Sequence, residues 1–176
     1  MKNFLRYSSS FIAPVLVCIV FPIIFIYEKQ CTSGLPLFPD PWLAAFGGAL
    51  IAGGTALALI SFRLIMRIGE GTIMPWDPSR KLVVVSLYGY VRNPMILGVL
   101  IVLVGEALAF SSVGIGMLAL FFFVVNTAYF MLSEERGLEK RFGEEYREYK
   151  RNVPRWVPRV TPWRPGKTIG SDAAGE

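Results

Sequence analysis

Long apolar runs with almost no charge inside them decide what this 176-residue chain can fold into. A hydrocarbon layer about 30 Å thick is crossed by a helix of roughly 20 such residues. Runs of suitable length cover about 10–27, 42–66, 94–110 and 113–132. Lipid offers no hydrogen bonds, so each run must satisfy its own backbone, and a helix does this within one segment. Only Ser111 and Ser112 separate the last two runs, which therefore form a tight antiparallel hairpin. Charged residues make up 18% and hydrophobic residues 53%, too apolar for a domain that must cover its surface with polar groups. The expected fold is all-α: a polytopic membrane helical bundle of about four transmembrane helices followed by a C-terminal amphipathic interfacial helix. One domain is expected over 1–165, with a disordered tail over 166–176.

Basic residues fix an expected orientation, because Lys and Arg near span ends are retained in the cytoplasm. Lys2 and Arg6 precede the first run, and Arg63, Arg67, Arg80, Lys81 and Arg92 lie at the end of the second or in the loop after it. The C-terminal region carries the rest, and Lys29 alone falls on the other side. Both termini and the central loop are expected in the cytoplasm (under a plasma membrane if the chain is prokaryotic), with Cys31 outside and Cys18 inside the first span. Val17 before Cys18 and the absence of a small-x-small site after Tyr27 favour an uncleaved span over a signal peptide.

In the second span Ala44, Gly48, Ala52 and Ala56 recur every fourth residue beside Gly47, Gly53 and Gly54, a smooth face expected to pack against another span. Gly69, Gly71, Pro75 and Pro78 mark a structured loop before the third. From Glu134 to Arg151 the chain is charged, with Leu138, Phe142, Tyr146 and Tyr149 in one stripe, which predicts a helix over about 134–151. Two placements satisfy the stripe: the membrane surface near anionic lipid headgroups, or packing on the body of the protein. Trp156 and Trp163 among Pro154, Pro158, Pro162 and Pro165 read as an extended belt at headgroup depth.

The chain contains no histidine and two cysteines, which excludes histidine acid/base chemistry and the usual zinc sites; no metal is expected. No phosphate-binding glycine loop is present, and nucleic acid is not an expected partner. Two polar clusters lie where spans meet the cytoplasm: Tyr88, Tyr90, Arg92, Asn93 and Pro94 entering the third, and Glu134, Glu135 and Arg136 leaving the fourth. A hairpin brings these ends together, so Arg92 faces the glutamates. Asn93 at an N-cap and Pro94 at N1 leave free backbone N–H groups at the positive end of the helix dipole. Such a crevice suits a zwitterionic cofactor with an aromatic base; equally, Arg92 obeys the positive-inside rule and the glutamates open a surface helix. Glu106, inside the third span near its outer end, is given a structural role.

The run from Leu87 to Gly98, with Tyr88, Tyr90, Arg92, Asn93 and Pro94, followed by Glu134 and Glu135 and then by Phe142 to Tyr149, resembles the isoprenylcysteine carboxyl methyltransferase and phospholipid methyltransferase superfamily. The resemblance covers roughly the C-terminal half and extends upstream through Gly71, Thr72, Pro75, Trp76, Asp77 and Pro78, as in small prokaryotic members. It implies an S-adenosylmethionine-dependent methyltransferase in the membrane. Carried over by position, Tyr88, Tyr90, Arg92, Asn93, Pro94, Gly98, Glu134 and Glu135 would bind the cofactor. Arg92 would act in catalysis by orienting a substrate or cofactor carboxylate. Asn93 stands where many members have histidine, Ile96 where tyrosine is usual, and Ser86 and Leu87 where Gly-Pro is common. The implied acceptor is a carboxylate or amine on a lipophilic or prenylated substrate that enters from the bilayer. A nicotinamide-dependent reductase of the sterol-reductase type and a non-catalytic lipid-binding protein are the alternatives.

Overall fold

The computed structural model describes residues 16–33, 40–68 and 81–164. The loop over 69–80 and the tail from 166, on which two expectations fell, lie outside these residues. Among the described residues the chain is helical and forms no strand. A π-helical turn, Leu16–Val20, opens α1, Phe21–Ser33; α2 is Pro41–Ile68, α3 Pro94–Ala109, α4 Val113–Tyr129 and α5 Glu135–Asn152. A 3-10 turn, Ser86–Gly89, precedes α3, and a second π turn, Phe130–Glu134, joins α4 to α5.

Local chemistry sets the ends. The Asp40 carboxylate accepts from the backbone N–H groups of Trp42 and Leu43, at 2.8 and 3.1 Å, and so caps α2 just before its N1 proline. In the α3–α4 hairpin Ser111 adopts φ 47°, the left-handed conformation that ends many helices. The next N–H, of Ser112, then reaches back to the Ala107 carbonyl at 2.9 Å while its hydroxyl caps α4 through Ile115 N–H. The Lys29 ammonium donates to the Phe110 and Ser111 carbonyls at 2.6 and 3.0 Å, satisfying acceptors at the negative end of α3.

α2 and α3 are antiparallel and in backbone contact. Gly47 faces Gly105 and Gly54 faces Gly98: a Cβ on Gly54 would lie 2.6 Å from the Gly98 carbonyl oxygen, and one on Gly98 2.7 Å from that of Gly54. The seam continues to Ser61, which is fully buried. This corrects the expected packing face. Gly48, Ala52 and Ala56 are exposed, and a Cβ on Gly48 or Gly53 would meet open space. A seven-residue step returns to nearly the same helix face, whereas successive four-residue steps drift around it, so the seven-residue pairing of Gly47 with Gly54 forms the seam.

On its other face α3 meets α4 and α1, where Leu103 and Ile115 are completely buried with Val99, Ala119, Phe25 and Ile26 around them. α2 and the run from Val113 to Asn152 are long and apolar enough to cross a membrane, and little of either is buried inside the protein. Trp42, Phe46, Met117, Phe121 and Val124 point outward, which suits contact with lipid rather than a soluble core. α3 is apolar but shorter.

The predicted fourth span and the predicted surface helix form one continuous helical run. No proline or glycine interrupts 130–134, so the chain absorbs the junction as a π turn. The break falls instead at Gly143, whose φ of 56° and ψ of −127° belong to a region only glycine occupies readily. Beyond it Tyr146 and Tyr149 are buried with Val84 and Val153 against Leu82, Leu138, Phe142 and Trp163. The stripe is thus covered by protein, the second of the two placements considered for it.

Candidate active site

Residues 153–164 fold back as a strap along the entrance to α3. Arg92 N–H donates to the Pro154 carbonyl, Arg159 N–H to that of Tyr90 and Trp163 N–H to that of Gly89, all within 2.9 to 3.0 Å. Prolines at 154, 158 and 162 keep this segment from continuing α5. Both tryptophans belong to the body, which changes the expected belt. The Trp163 ring packs on Tyr149 with centroids 6.0 Å apart, and Trp156 on Phe123 and Phe130 at 5.3 and 6.3 Å.

Through this arrangement Glu135, buried at the start of α5, collects three cations from three segments. Arg92 Nη1 and Arg155 Nη2 each approach Oε1 at 2.6 Å, with Arg155 Nε at 2.9 Å. Lys150 Nζ lies 3.1 Å from Oε2 and 2.7 Å from Glu139. The side chains of Arg92, Arg155 and Glu135 are 11%, 16% and 7% exposed, so water screens them little. Burial alone would raise the Glu135 carboxyl, but Arg92, Lys150 and Arg155 together bring it below its ordinary value. Hydrogen bonds to Glu139 and then Glu135 raise Lys150. Tyr146, buried beside the cluster, is raised by burial and by Glu135 and lowered by Arg92.

Among the described residues, Arg92, Arg155 and Lys150 face two carboxylates, Glu135 and Glu139, which leaves one positive charge in excess. Arg92 Nε, which is buried, has no hydrogen-bond partner among the described residues. Unsatisfied buried donors are rare and costly, and an excess cation with an orphaned guanidinium N–H is the equipment for receiving an anionic group, a carboxylate in particular.

The other residues expected at the site lie as follows. Glu134 is half-buried and outside the cation cluster. Asn93 occupies the N-cap position of α3, but its side chain makes no capping bond. Pro94 is fully buried. Tyr88 is buried with its hydroxyl 3.5 Å from the Ser61 carbonyl, and its own carbonyl accepts from Tyr149 at 2.7 Å. Tyr90 lines a half-open cleft of about 560 Å3 with Ser86, Pro162, Trp163 and Arg164. Gly98 is turned toward α2, where the space for a side chain is filled by Gly54 and Ala58. Sequence reasoning missed Arg155 as a partner of Glu135. Its one signal was an arginine between Pro154 and Trp156, in a segment read as a belt.

A bundle of apolar helices with a charged, anion-ready cluster at the end where α3 begins and α4 gives way to α5 fits an enzyme of membranes that handles a charged co-substrate. Residues 42–145 match the family model described as phospholipid methyltransferase. The chain belongs to this family. Methanethiol S-methyltransferase 2 of Bradyrhizobium diazoefficiens is 36% identical over 129 residues, which cover 68% of this chain and 43% of that relative. The chain thus spans less than half the length of the curated relative it matches. No solved structure matches it. Lys150 and Arg155 lie beyond the residues that match the family model.

Proposed function

We propose that the protein is an S-adenosylmethionine-dependent methyltransferase embedded in the membrane by four spans, with both termini and the site on the cytoplasmic side. The observation that carries this reading is the Glu135 cluster, in which Arg92, Arg155 and Lys150 surround one buried carboxylate and Arg92 Nε is left without a partner. The amino-acid end of S-adenosylmethionine brings a carboxylate for the guanidinium groups and an ammonium for the carboxylates, so the donor set fits the group. Arg92, Arg155 and Glu135 would hold that end, with Tyr146 packed behind them and Asn93 free to add a hydrogen bond. When bound, the cofactor supplies a methyl group already activated on a sulfonium.

The protein's own contribution is then alignment and exclusion of water. The strap closes the cytoplasmic side: its backbone bonds to residues 89–92 fix Arg155 against Glu135, and a displaced strap would leave only Arg92 and Lys150 with the carboxylate. Phe123, Phe130 and Trp156 make the lipid side apolar, so an acceptor with a hydrophobic body enters from the bilayer. Lipid-like or prenylated carboxylates and amines are acceptors of this kind, and the name of the Bradyrhizobium relative adds a thiol. Exposed Arg147 and Arg151 add attraction for anionic headgroups on the same face. The phospholipid methyltransferase match favours methyl transfer over the nicotinamide-dependent reductase.

Calorimetry on detergent-purified protein tests the reading. S-adenosylmethionine and its demethylated product are expected to bind and reduced nicotinamide dinucleotide phosphate is not. Replacing Arg92 or Arg155 by Ala is expected to weaken binding by roughly 10- to 100-fold, the worth of one charge-assisted hydrogen bond. Wild-type protein that binds neither form refutes the assignment, and unchanged affinity in both variants refutes the location.

A further inference from the structure

α4 carries no charged residue, and its polar side chains are Asn126, Thr127 and Tyr129. Phe123, Asn126, Thr127 and Phe130 stand at i, i+3, i+4 and i+7, one face of the helical run. The strap lays Trp156 across this face. Its ring meets Phe123 at 5.3 Å and Phe130 at 6.3 Å between centroids, on either side of the two polar residues. Asn126 Nδ2 donates to the Phe122 carbonyl at 2.8 Å, and the Thr127 hydroxyl to that of Phe123 at 2.7 Å. These bonds use donors and leave Asn126 Oδ1 and the Thr127 oxygen as acceptors. The Trp156 indole N–H is the complementary group: it is buried, and among the described residues it has no partner. Phe123, 37% exposed, opens the face to lipid. Polar groups inside an apolar span are costly, and they mark places where a ligand is handled. Contacts tie this notch to the cation cluster. The Glu135 backbone N–H donates to the Phe130 carbonyl across the π turn, and Arg155, beside Trp156 in the strap, holds the Glu135 carboxylate. Asn126 lies nine residues from Glu135, roughly 13 Å along a helix.

We propose that Asn126 and Trp156, with Thr127 beside them, form a subsite inside the bilayer for a hydroxyl group on a membrane-borne ligand. A hydroxyl accepts from the indole and donates to Asn126 Oδ1 through one oxygen atom, so it pairs the orphaned donor and an open acceptor together. An ester carbonyl only accepts and leaves Asn126 Oδ1 unpaired. An ammonium or a carboxylate would shed its hydration where α4 supplies no opposite charge, a far larger cost. The ligand's apolar body lies along Phe123 toward the lipid. This subsite goes beyond the methyltransferase reading. On that reading the ligand is the methyl acceptor, selected by an uncharged group well below the cofactor; its binding is measurable without any methyl transfer.

Full-length protein in detergent is titrated with a photoreactive hexadecanol bearing a diazirine in its chain, and the crosslinks are mapped by mass spectrometry. Saturable labelling of α4 or strap peptides is expected. Hexadecanol should compete, whereas hexadecylammonium, palmitate and hexadecane should not at tenfold higher concentration. Trp156→Phe keeps an aromatic ring and removes the N–H; Asn126→Leu keeps the size and removes the acceptor. Each should weaken hexadecanol by about 3- to 10-fold, the worth of one neutral hydrogen bond, with the melting temperature near that of wild type. Labelling that does not saturate, equal competition by the charged chains or by hexadecane, or unchanged hexadecanol affinity in either folded variant overturns the proposal. A wild type that takes hexadecanol but binds no S-adenosylmethionine leaves the subsite standing and overturns the methyltransferase reading instead.

Discussion

Two adjacent carboxyls should pull the stability of this protein in opposite directions as pH changes. Glu135 is ionised more readily folded than unfolded, so its contribution is present above the ordinary carboxyl range near 4.5 and is lost as pH falls through its depressed value. Glu134 is raised from 4.5 to about 7, so between these values the folded state binds more protons than the unfolded chain, and stability declines as pH climbs. Melting followed by fluorescence in detergent should show a decline from about pH 5 to about pH 7.5 that Glu134→Gln flattens, with the acid-side loss unchanged. A slope identical in both proteins would mean that Glu134 is not the group responsible. Little of this contrast was legible in the sequence. That Arg92 would reach the paired glutamates followed from hairpin connectivity, and the structure places it on Glu135. Which glutamate it would choose depends on the helix face turned toward α3 and the strap, and a π turn shifts that face. Arg155 was illegible for another reason: its approach depends on backbone bonds from the strap to residues 89–92, which no periodicity announces.

Between α2 and α3 the backbones touch, and this predicts a sharp contrast between neighbouring glycines. Gly54→Leu must push the helices apart, because even a Cβ would sit 2.6 Å from the Gly98 carbonyl oxygen. Overpacking of this kind costs about 1–3 kcal/mol or more, and the variant's melting temperature in detergent should fall clearly. Gly53→Ala adds a methyl to open space and removes a poor helix former, so its melting temperature should stay or rise slightly. Equal losses in the two variants would show that the seam is elsewhere. The helices themselves were legible because lipid leaves so few backbone options: the predicted runs over 42–66, 94–110 and 113–132 lie close to α2, α3 and α4. The face of α2 was misread because small residues surround it on several sides, and only the partner helix determines which are used. The amphipathic stripe of α5 was legible as a stripe but not in its destination, since lipid and Tyr-rich protein surface satisfy it equally.

At the ends of the bundle the charges are sorted, and the sorting makes orientation testable. Lys29, the lone cation expected outside, lies against the carbonyls of Phe110 and Ser111 at the α3–α4 hairpin, so α1 and the hairpin share one end. The Glu135 cluster and the basic strap lie where α3 begins and α4 passes into α5, the opposite end of α3 from the hairpin. On the proposed orientation, in which Lys and Arg are retained on the cytoplasmic side, the site lies inside and the hairpin outside. Val113, 80% exposed at the hairpin, and Val157, 73% exposed on the strap, report the two ends. With Cys18 and Cys31 replaced by Ser, a membrane-impermeant maleimide should label Val113→Cys in intact cells and Val157→Cys only after permeabilisation. The reverse pattern would put the cation cluster outside, away from cytoplasmic S-adenosylmethionine, and would count against the proposed chemistry as well as the orientation. Labelling of both from one side would mean that the run from Val113 does not cross at all, and the acceptor would then need a route other than the bilayer.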